Sequence, residues 1–254
     1  MTKHPFRPTP DILSPKFKQL DLHDCNLSPS RIDIWEYPLL TIWDGAREIL
    51  NSNEIDRADR FYFERHRRRF TVARSMMRLI LAHYLKEKAS QLTFRENKYG
   101  KPEIKHPSQI EFNLSHSQDL ALLVVGKNHP VGIDLEFFSG RSYLGIGDQL
   151  FSEAENNALK KTPLYLRSLS FFTIWAQKEA FIKACGLGLS YPTKSFNVAS
   201  LPNESSDIED PLHQSTWRTT TFMPKIACAA AVCYHPSIRE IRYIRVLPPH
   251  DNTP

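Results

Sequence analysis

Apolar positions recur at helical spacing in two long stretches and alternate with polar ones in several short ones. From Asp56 onward, DRADRFYFERHRRRFTVARSMMRLILAHYLKEKA places Phe70, Ala73, Met77, Ile80, Leu81 and Tyr84 on one stripe, which predicts an amphipathic helix. Later, SEAENNALKK and LYLRSLSFFTIWAQKEAFIKACG predict two more helices, the second stopped by Gly186. Between these, RIDIWEYPL, IEFNLSHS, LALLVVG and VGIDLEFF read as strands. QLTFRENKYGKPEI reads as a strand, a turn at Gly100 and a second short strand. A Gly-rich loop follows VGIDLEFF, the polar run ASLPNESSDIEDPLHQS is a loop or insertion, and TTTFMPKIACAAAVCYH supplies closing strands. Residues 1–30 hold five prolines without a period and read as an irregular wrap. The order of elements suggests two halves of similar plan, 1–127 and 128–254.

Composition narrows the class. With 254 residues, 41% hydrophobic and 24% charged, the chain can bury one large core or two modest ones. No apolar run approaches the roughly 20 residues of a membrane helix, and MTKHPFRPTPDILSPKFKQL has no signal-like apolar stretch, so a cytoplasmic location is expected. Cys25, Cys185, Cys228 and Cys233 lack CxxC or zinc spacing and are expected as reduced, packed thiols. The net charge of +5 favours acidic ligands or acidic protein partners.

The residues that could carry chemistry sit inside these elements. In VGIDLEFF, alternation puts Val131, Ile133 and Leu135 on one face and Gly132, Asp134 and Glu136 on the other. Two carboxylates so close repel unless a cation neutralises them, which suits Mg²⁺; a solvated strand face is the plain alternative. In WAQKEAFIKACGLGL, Lys178, Glu179 and Lys183 interrupt an apolar helix. Glu179 and Lys183, four apart, could form an intrahelical pair or a half-buried acid/base site; Lys178 has no visible task.

RFYFERHRRRFTVAR gathers Arg60, Arg65, Arg67, Arg68, Arg69 and Arg74. Arg60 and Arg68 are eight apart, near two helical turns, so they could grip one phosphate-bearing ligand. A solvated basic face or a nucleic-acid patch is the alternative, the latter disfavoured because the aromatic residues form no stacking platform. In NKYGKP, Lys98 and Lys101 flank a turn whose backbone can approach a ligand, with Tyr99 and Gly100 between them. FNLSHS offers Ser115, His116 and Ser117 to phosphate oxygens; as a catalytic Ser/His pair it is weak, since no GxSxG elbow is present.

Taken in order, the basic helix, the GKP turn, FNLSHS, GIDLE and WAQKEAFIKACG resemble the 4′-phosphopantetheinyl transferases. The likeness is to the long, two-lobed surfactin-synthetase-activating type, and especially to its cyanobacterial heterocyst-glycolipid branch. The resemblance spans about Asp56 to Leu189. It implies an α+β fold of two pseudo-symmetric lobes in one chain, with coenzyme A bound in the cleft between them. It also implies Mg²⁺, or Mn²⁺, on Asp134 and Glu179, with Glu136 as a third ligand that some members keep, and Lys183 beside the pyrophosphate. Arg60 and Arg68 would lie near the 3′-phosphate. Lys98, Tyr99, Gly100, Lys101, Asn113, Ser115 and His116 would wall the nucleotide site.

The activity so implied is transfer of the phosphopantetheine arm from coenzyme A to a serine of an apo acyl carrier protein, or of a peptidyl or polyketide carrier domain. Such carriers serve fatty acid, polyketide and nonribosomal peptide synthesis. Glu179 would take the serine proton, Lys183 would stabilise the leaving 3′,5′-ADP, and Asp134 would hold the metal. Neither nucleic acid nor membrane is an expected partner, and a pseudo-dimer in one chain needs no second copy. Two rivals remain at this stage: a Mg²⁺-dependent phosphodiesterase or nuclease, and a non-enzymatic coenzyme A binding module.

Overall fold

The computed structural model describes residues 14–139, 144–202 and 205–249. Residues 1–13 of the expected proline-rich wrap lie outside them, as do 140–143 of the expected Gly-rich loop. Two sheets carry the fold. The first runs β1(Lys18–Gln19), β11(Glu240–Arg245), β2(Arg31–Pro38), β6(Leu120–Lys127) and β5(Ile110–Ser117). The second is antiparallel throughout, in the order β7(Gly132–Phe137), β10(Cys228–Tyr234), β9(Ser215–Phe222) and β8(Ser206–Asp210). A separate hairpin pairs β3(Phe94–Glu96) with β4(Pro102–Ile104). The helices are α1(Ser52–Asp59), α2(Glu64–Leu85), α3(Leu144–Leu150), α4(Glu153–Lys161) and α5(Leu164–Cys185).

Strand alternation explains the layering. Trp35, Tyr37, Leu123 and Val125 face α2, where they meet Val72, Met76 and Ile80. Their neighbours Ile32, Ile34, Leu122 and Val124 face the opposite way and pack on Ile133, Leu135, Ala230 and Val232 of the second sheet. Beyond that sheet, Ala231 and Cys233 meet Ala180, Phe181 and Ala184 of α5. Helix, sheet, sheet and helix are thus stacked, and each sheet is apolar on both faces. The four cysteines are thiols, with Cys228 and Cys233 buried in β10.

Four expectations need correction. The helix expected to begin at Asp56 is broken at Arg60–Phe63, because Phe61 turns in to pack on Phe70 with ring centroids 5.6 Å apart. Part of the Gly-rich stretch is helical, as α3, whose Gly147 carbonyl accepts from the Phe151 amide and the Asn156 side chain. The polar run after Ala199 contains β8, which pairs with β9. Ile208 and Asp210 point inward there, and the acidic neighbours of Ile208 conceal the alternation. Finally, the expected elements stop at the closing strands, yet β11 returns to the first sheet and lies parallel to β2.

Ion pairs specify that return. Asp33 of β2 is fully buried and receives Arg242 at 2.6 and 3.0 Å, Arg31 at 3.0 Å and the Tyr84 hydroxyl at 2.5 Å. Glu36 takes Arg245 at 2.8 Å and Lys225 at 3.2 Å. A buried carboxylate left without such partners costs several kcal/mol, so β2 needs the arginines of β11.

The tightest contact lies between α5 and β7. A Cβ on Gly132 would stand 2.0 Å from the Ala180 carbonyl oxygen and 2.4 Å from the Ala184 amide nitrogen, both backbone atoms. Only glycine admits the helix at this depth. Replacing it with alanine should cost about 3 kcal/mol or more, since overpacked backbone cannot relax as a side chain does. In a chain of this size that is a fall of roughly 6–12 °C in Tm. An unchanged melting curve for Gly132→Ala would contradict the close approach.

Candidate functional site

Gly132, Asp134 and Glu136 share the face of β7 that α5 covers, so the glycine that admits the helix also brings the helix's charges to the two acids. Asp134 is buried, which removes the reading of a solvated strand face. Its Oδ1 accepts from Lys183 Nζ at 2.5 Å and from Ser115 Oγ at 2.9 Å, while Lys183 also donates to Ser115 Oγ at 3.1 Å. Lys183 therefore pairs across to the sheet and not along the helix with Glu179. The second oxygen, Asp134 Oδ2, is buried without a hydrogen-bond partner.

Glu136 and Glu179 feel the same neighbourhood. Burial pushes both carboxyl groups above the ordinary range, and the charge of Asp134 adds to it in each case. Three acids thus crowd one region with one lysine among them, and one buried carboxylate oxygen of Asp134 there has no hydrogen-bond partner. Among the described residues no three acids, histidines or cysteines already stand as a ready ligand set.

β5 forms the other wall, and its side chains replace a backbone ladder. β5 and β7 are edge strands of different sheets. They are stitched by Asn113 Oδ1 accepting from the Ile133 amide at 2.9 Å, by Ser115 on Asp134, and by Ser117 Oγ donating to Glu136 Oε2 at 3.1 Å. Asn113 and Ser115, expected as nucleotide contacts, are thus also the fasteners between the sheets. His116 lies exposed at the rim. Partial desolvation, then the cations Lys183, Arg69, Arg74 and Arg57, hold its imidazole below the ordinary value.

A pocket of about 280 Å³ collects much of the expected set: Tyr99, Gly100 and Lys101 of the hairpin turn, Asn113 of β5, and Glu179 and Lys183 of α5. Gly100 takes φ +86°, the left-handed region that lets the turn close. Lys101 is less free than expected. Its Nζ donates to the Ala184 and Val131 carbonyls at 3.0 and 3.2 Å, and burial lowers its pKa. Lys98 lies over the Tyr99 ring, 4.8 Å from its centroid, on the exposed tip.

The arginines sort differently from their spacing. Arg60 caps α1 at the start of the helix break and Arg68 lies on α2, so the two do not share one helix. Arg68 and Arg69 both hold Asp119, at 2.8 and 2.9 Å, and Arg68 also donates to the Leu39 carbonyl. A second pocket, of about 410 Å³, is lined instead by Arg57, Arg74, Arg95 and Phe70. Both Arg57 and Arg74 lie over the Phe70 ring, at 5.3 and 5.8 Å. Pro102 of β4 lines both pockets, so they adjoin. Arg57 escapes a reading by helical period because the FYF turn, not a continuous helix, carries it toward Phe70.

Comparison with known proteins covers both halves. Residues 34–128 match the model for the 4′-phosphopantetheinyl transferase N-terminal region, and residues 130–231 match the 4′-phosphopantetheinyl transferase superfamily. The chain is 34% identical to the 4′-phosphopantetheinyl transferase HetI of Nostoc sp., over 81% of this chain and 88% of that protein. It is 32% identical to the 4′-phosphopantetheinyl transferase psf-1 of Bacillus pumilus, over 69% and 75%. It is 27% identical to the 4′-phosphopantetheinyl transferase Sfp of Bacillus subtilis, over 78% and 90%.

Lys178 belongs to a different part of α5 and faces away from the pocket. It is buried, forms an ion pair with Glu155 at 3.0 Å, and donates to the Thr193 and Phe196 carbonyls at 2.6 and 3.0 Å. Glu155 in turn caps α4 through the Ser152 amide and holds the Val198 amide. The lysine therefore ties α4 and the 193–198 segment to α5. Lys178→Met should lose about 3–5 kcal/mol, because Glu155 is left buried and unpaired. Adding Glu155→Leu should recover much of that loss, and a single variant as stable as the parent in urea melts would refute the assignment.

Proposed function

The chain belongs to the 4′-phosphopantetheinyl transferase superfamily, and from that membership we propose that it transfers the 4′-phosphopantetheine arm of coenzyme A to a serine of an apo carrier protein. The observation that carries the reading is the pair of adjoining pockets. One gathers Arg57, Arg74, Arg95 and Phe70 with the acids Glu54 and Glu96 also in its lining, and the other holds Glu179 and Lys183 beside Asp134. A long ligand with an anionic nucleotide at one end and a reacting pyrophosphate further along suits this arrangement. We assign the nucleotide end to the pocket of Arg57 and Arg74, in preference to Arg60 and Arg68, and the pyrophosphate to that of Lys183.

In this reading the carrier serine oxygen attacks the β-phosphorus of coenzyme A. The new P–O bond replaces the bond to the bridging oxygen, and 3′,5′-ADP leaves. Glu179, whose carboxyl is raised by burial and by Asp134, takes the serine proton. Lys183 meets the charge gathering on the leaving phosphate. The buried orphan oxygen of Asp134 and the crowding of three acids fit a divalent cation, and Asp134, Glu136 and Glu179 would hold Mg²⁺ or Mn²⁺. Such an ion supplies charge neutralisation of the pyrophosphate. Ser115 orients Asp134, and Ser117 orients Glu136.

The two lobes are assigned to 1–127 and 128–254, with β11 reaching back from the second to complete the first sheet. Among the described residues no helix is long and apolar enough to cross a membrane. A cytoplasmic location suits a coenzyme A substrate, and an acidic acyl, peptidyl or polyketide carrier suits the net charge of +5. Neither hydrolytic nor purely binding activity is favoured by any relative's name, since those reported are all transferases.

Asp134→Ala and Glu179→Gln should each lower turnover about 100-fold or more while circular dichroism stays that of the parent. Parent-like rates in either variant would overturn the site. Lys183→Ala should reduce kcat more than it raises the KM for coenzyme A. A loss confined to KM would make it a binding group.

A further inference from the structure

The β3–β4 hairpin supplies one wall of the Glu179–Lys183 pocket, yet it is tied to its own strands by only three residue pairs and belongs to neither large sheet. A two-stranded ribbon of this size is marginal by itself. Something else must hold its turn against α5. We propose that Asn97 is the positioning residue that does so, latching the turn to the C-terminal cap of α5 and thereby fixing the wall against which coenzyme A binds.

The two ends of its amide do different work. Asn97 Oδ1 accepts from the Tyr99 and Lys101 amides at 2.9 and 3.0 Å, which shapes the turn from within. Asn97 Nδ2 donates to the Gly186 carbonyl at 2.8 Å, across 89 residues of sequence, and this bond ties the turn to α5. Gly186 is the helix cap, at φ +70°, and its own amide bonds to Ile182. Its missing side chain also admits the hairpin: a Cβ there would stand 2.9 Å from Asn97 Nδ2 and 3.2 Å from Lys101 Cδ.

Lys101 joins the same helix end through the Ala184 carbonyl. The last carbonyls of a helix lack intrahelical partners and carry partial negative charge, so an N–H donor and an ammonium are suited to them. Asn97 uses one side-chain amide both to shape the turn and to dock it. A Glu179 and Lys183 held by Gly132 on one side therefore face a wall held by Asn97 on the other.

The proposal rests on the coenzyme A reading for its kinetic consequence only, and two variants in the full chain separate its parts. Asn97→Asp keeps an acceptor for the Tyr99 and Lys101 amides but cannot donate to Gly186; Asn97→Ala loses both. Hydrogen exchange read by mass spectrometry over residues 94–104, with no substrate present, should be faster in both variants than in the parent. With a carrier and coenzyme A, both should show a KM for coenzyme A raised about five- to tenfold, with kcat and the carrier KM within about twofold. Exchange and KM at parent values in Asn97→Asp would overturn the latch. Faster exchange with an unchanged KM would overturn the positioning role. A parent that transfers no phosphopantetheine would refute the proposed function, while exchange would still decide whether Asn97 holds the turn.

Discussion

The site depends on how closely α5 lies to β7. A helix backbone resting on a strand backbone is possible only where the strand has no side chain, and Gly132 provides that gap next to Ala180 and Ala184. Two residues further along β7 is Asp134, and Glu179 and Lys183, one helical turn apart, each immediately precede one of the two contact residues. The distance from Lys183 to Asp134 is thus a consequence of backbone packing. A larger residue at 132 would push the helix out and separate the charges, whatever their identities.

Burial of charge is the second organising feature, and the structure solves it case by case. Asp33 and Glu36 are answered by arginines of β11, Glu54 by Arg78 at 2.7 Å, and Glu155 by Lys178. Each of these acids has a cationic partner. At Asp134, Lys183 and Ser115 satisfy one oxygen and the other is buried and unmet, as Glu36 Oε2 also is; here, though, Glu136 and Glu179 crowd the same region. The crowding of Glu136 and Glu179 around Asp134, with burial raising both carboxyl groups, is what separates this region from ion pairs that close the fold.

Legibility in the sequence followed the range of the interaction. Alternation in VGIDLEFF put Asp134 and Glu136 on one face correctly, because side-chain direction along a strand is a local property. It could not say whether that face was covered, which depends on α5. The charges of WAQKEAFIKACG left an intrahelical pair and a half-buried acid/base site both open, with one lysine unexplained. In space, Lys183 crosses to Asp134 and Lys178 turns to Glu155, since partners far along the chain outcompeted the neighbour four residues away. The arginine-rich run misled by its spacing, because the aromatic residues of FYF break the helix and bring Arg57 to Phe70. Strand β8 was hidden by its acidic neighbours, and Asn97 by being an ordinary turn residue whose second bond reaches Gly186.

The central claim is that these acids and Lys183 move a phosphopantetheine arm onto a serine. The most direct measurement is the intact mass of an apo carrier protein, acyl and peptidyl types in turn, after incubation with the parent chain, coenzyme A and Mg²⁺. The account predicts the gain of one phosphopantetheine on the carrier serine with one 3′,5′-ADP released per carrier. Carriers of both types left unmodified, whether coenzyme A stays intact or is hydrolysed, would contradict it.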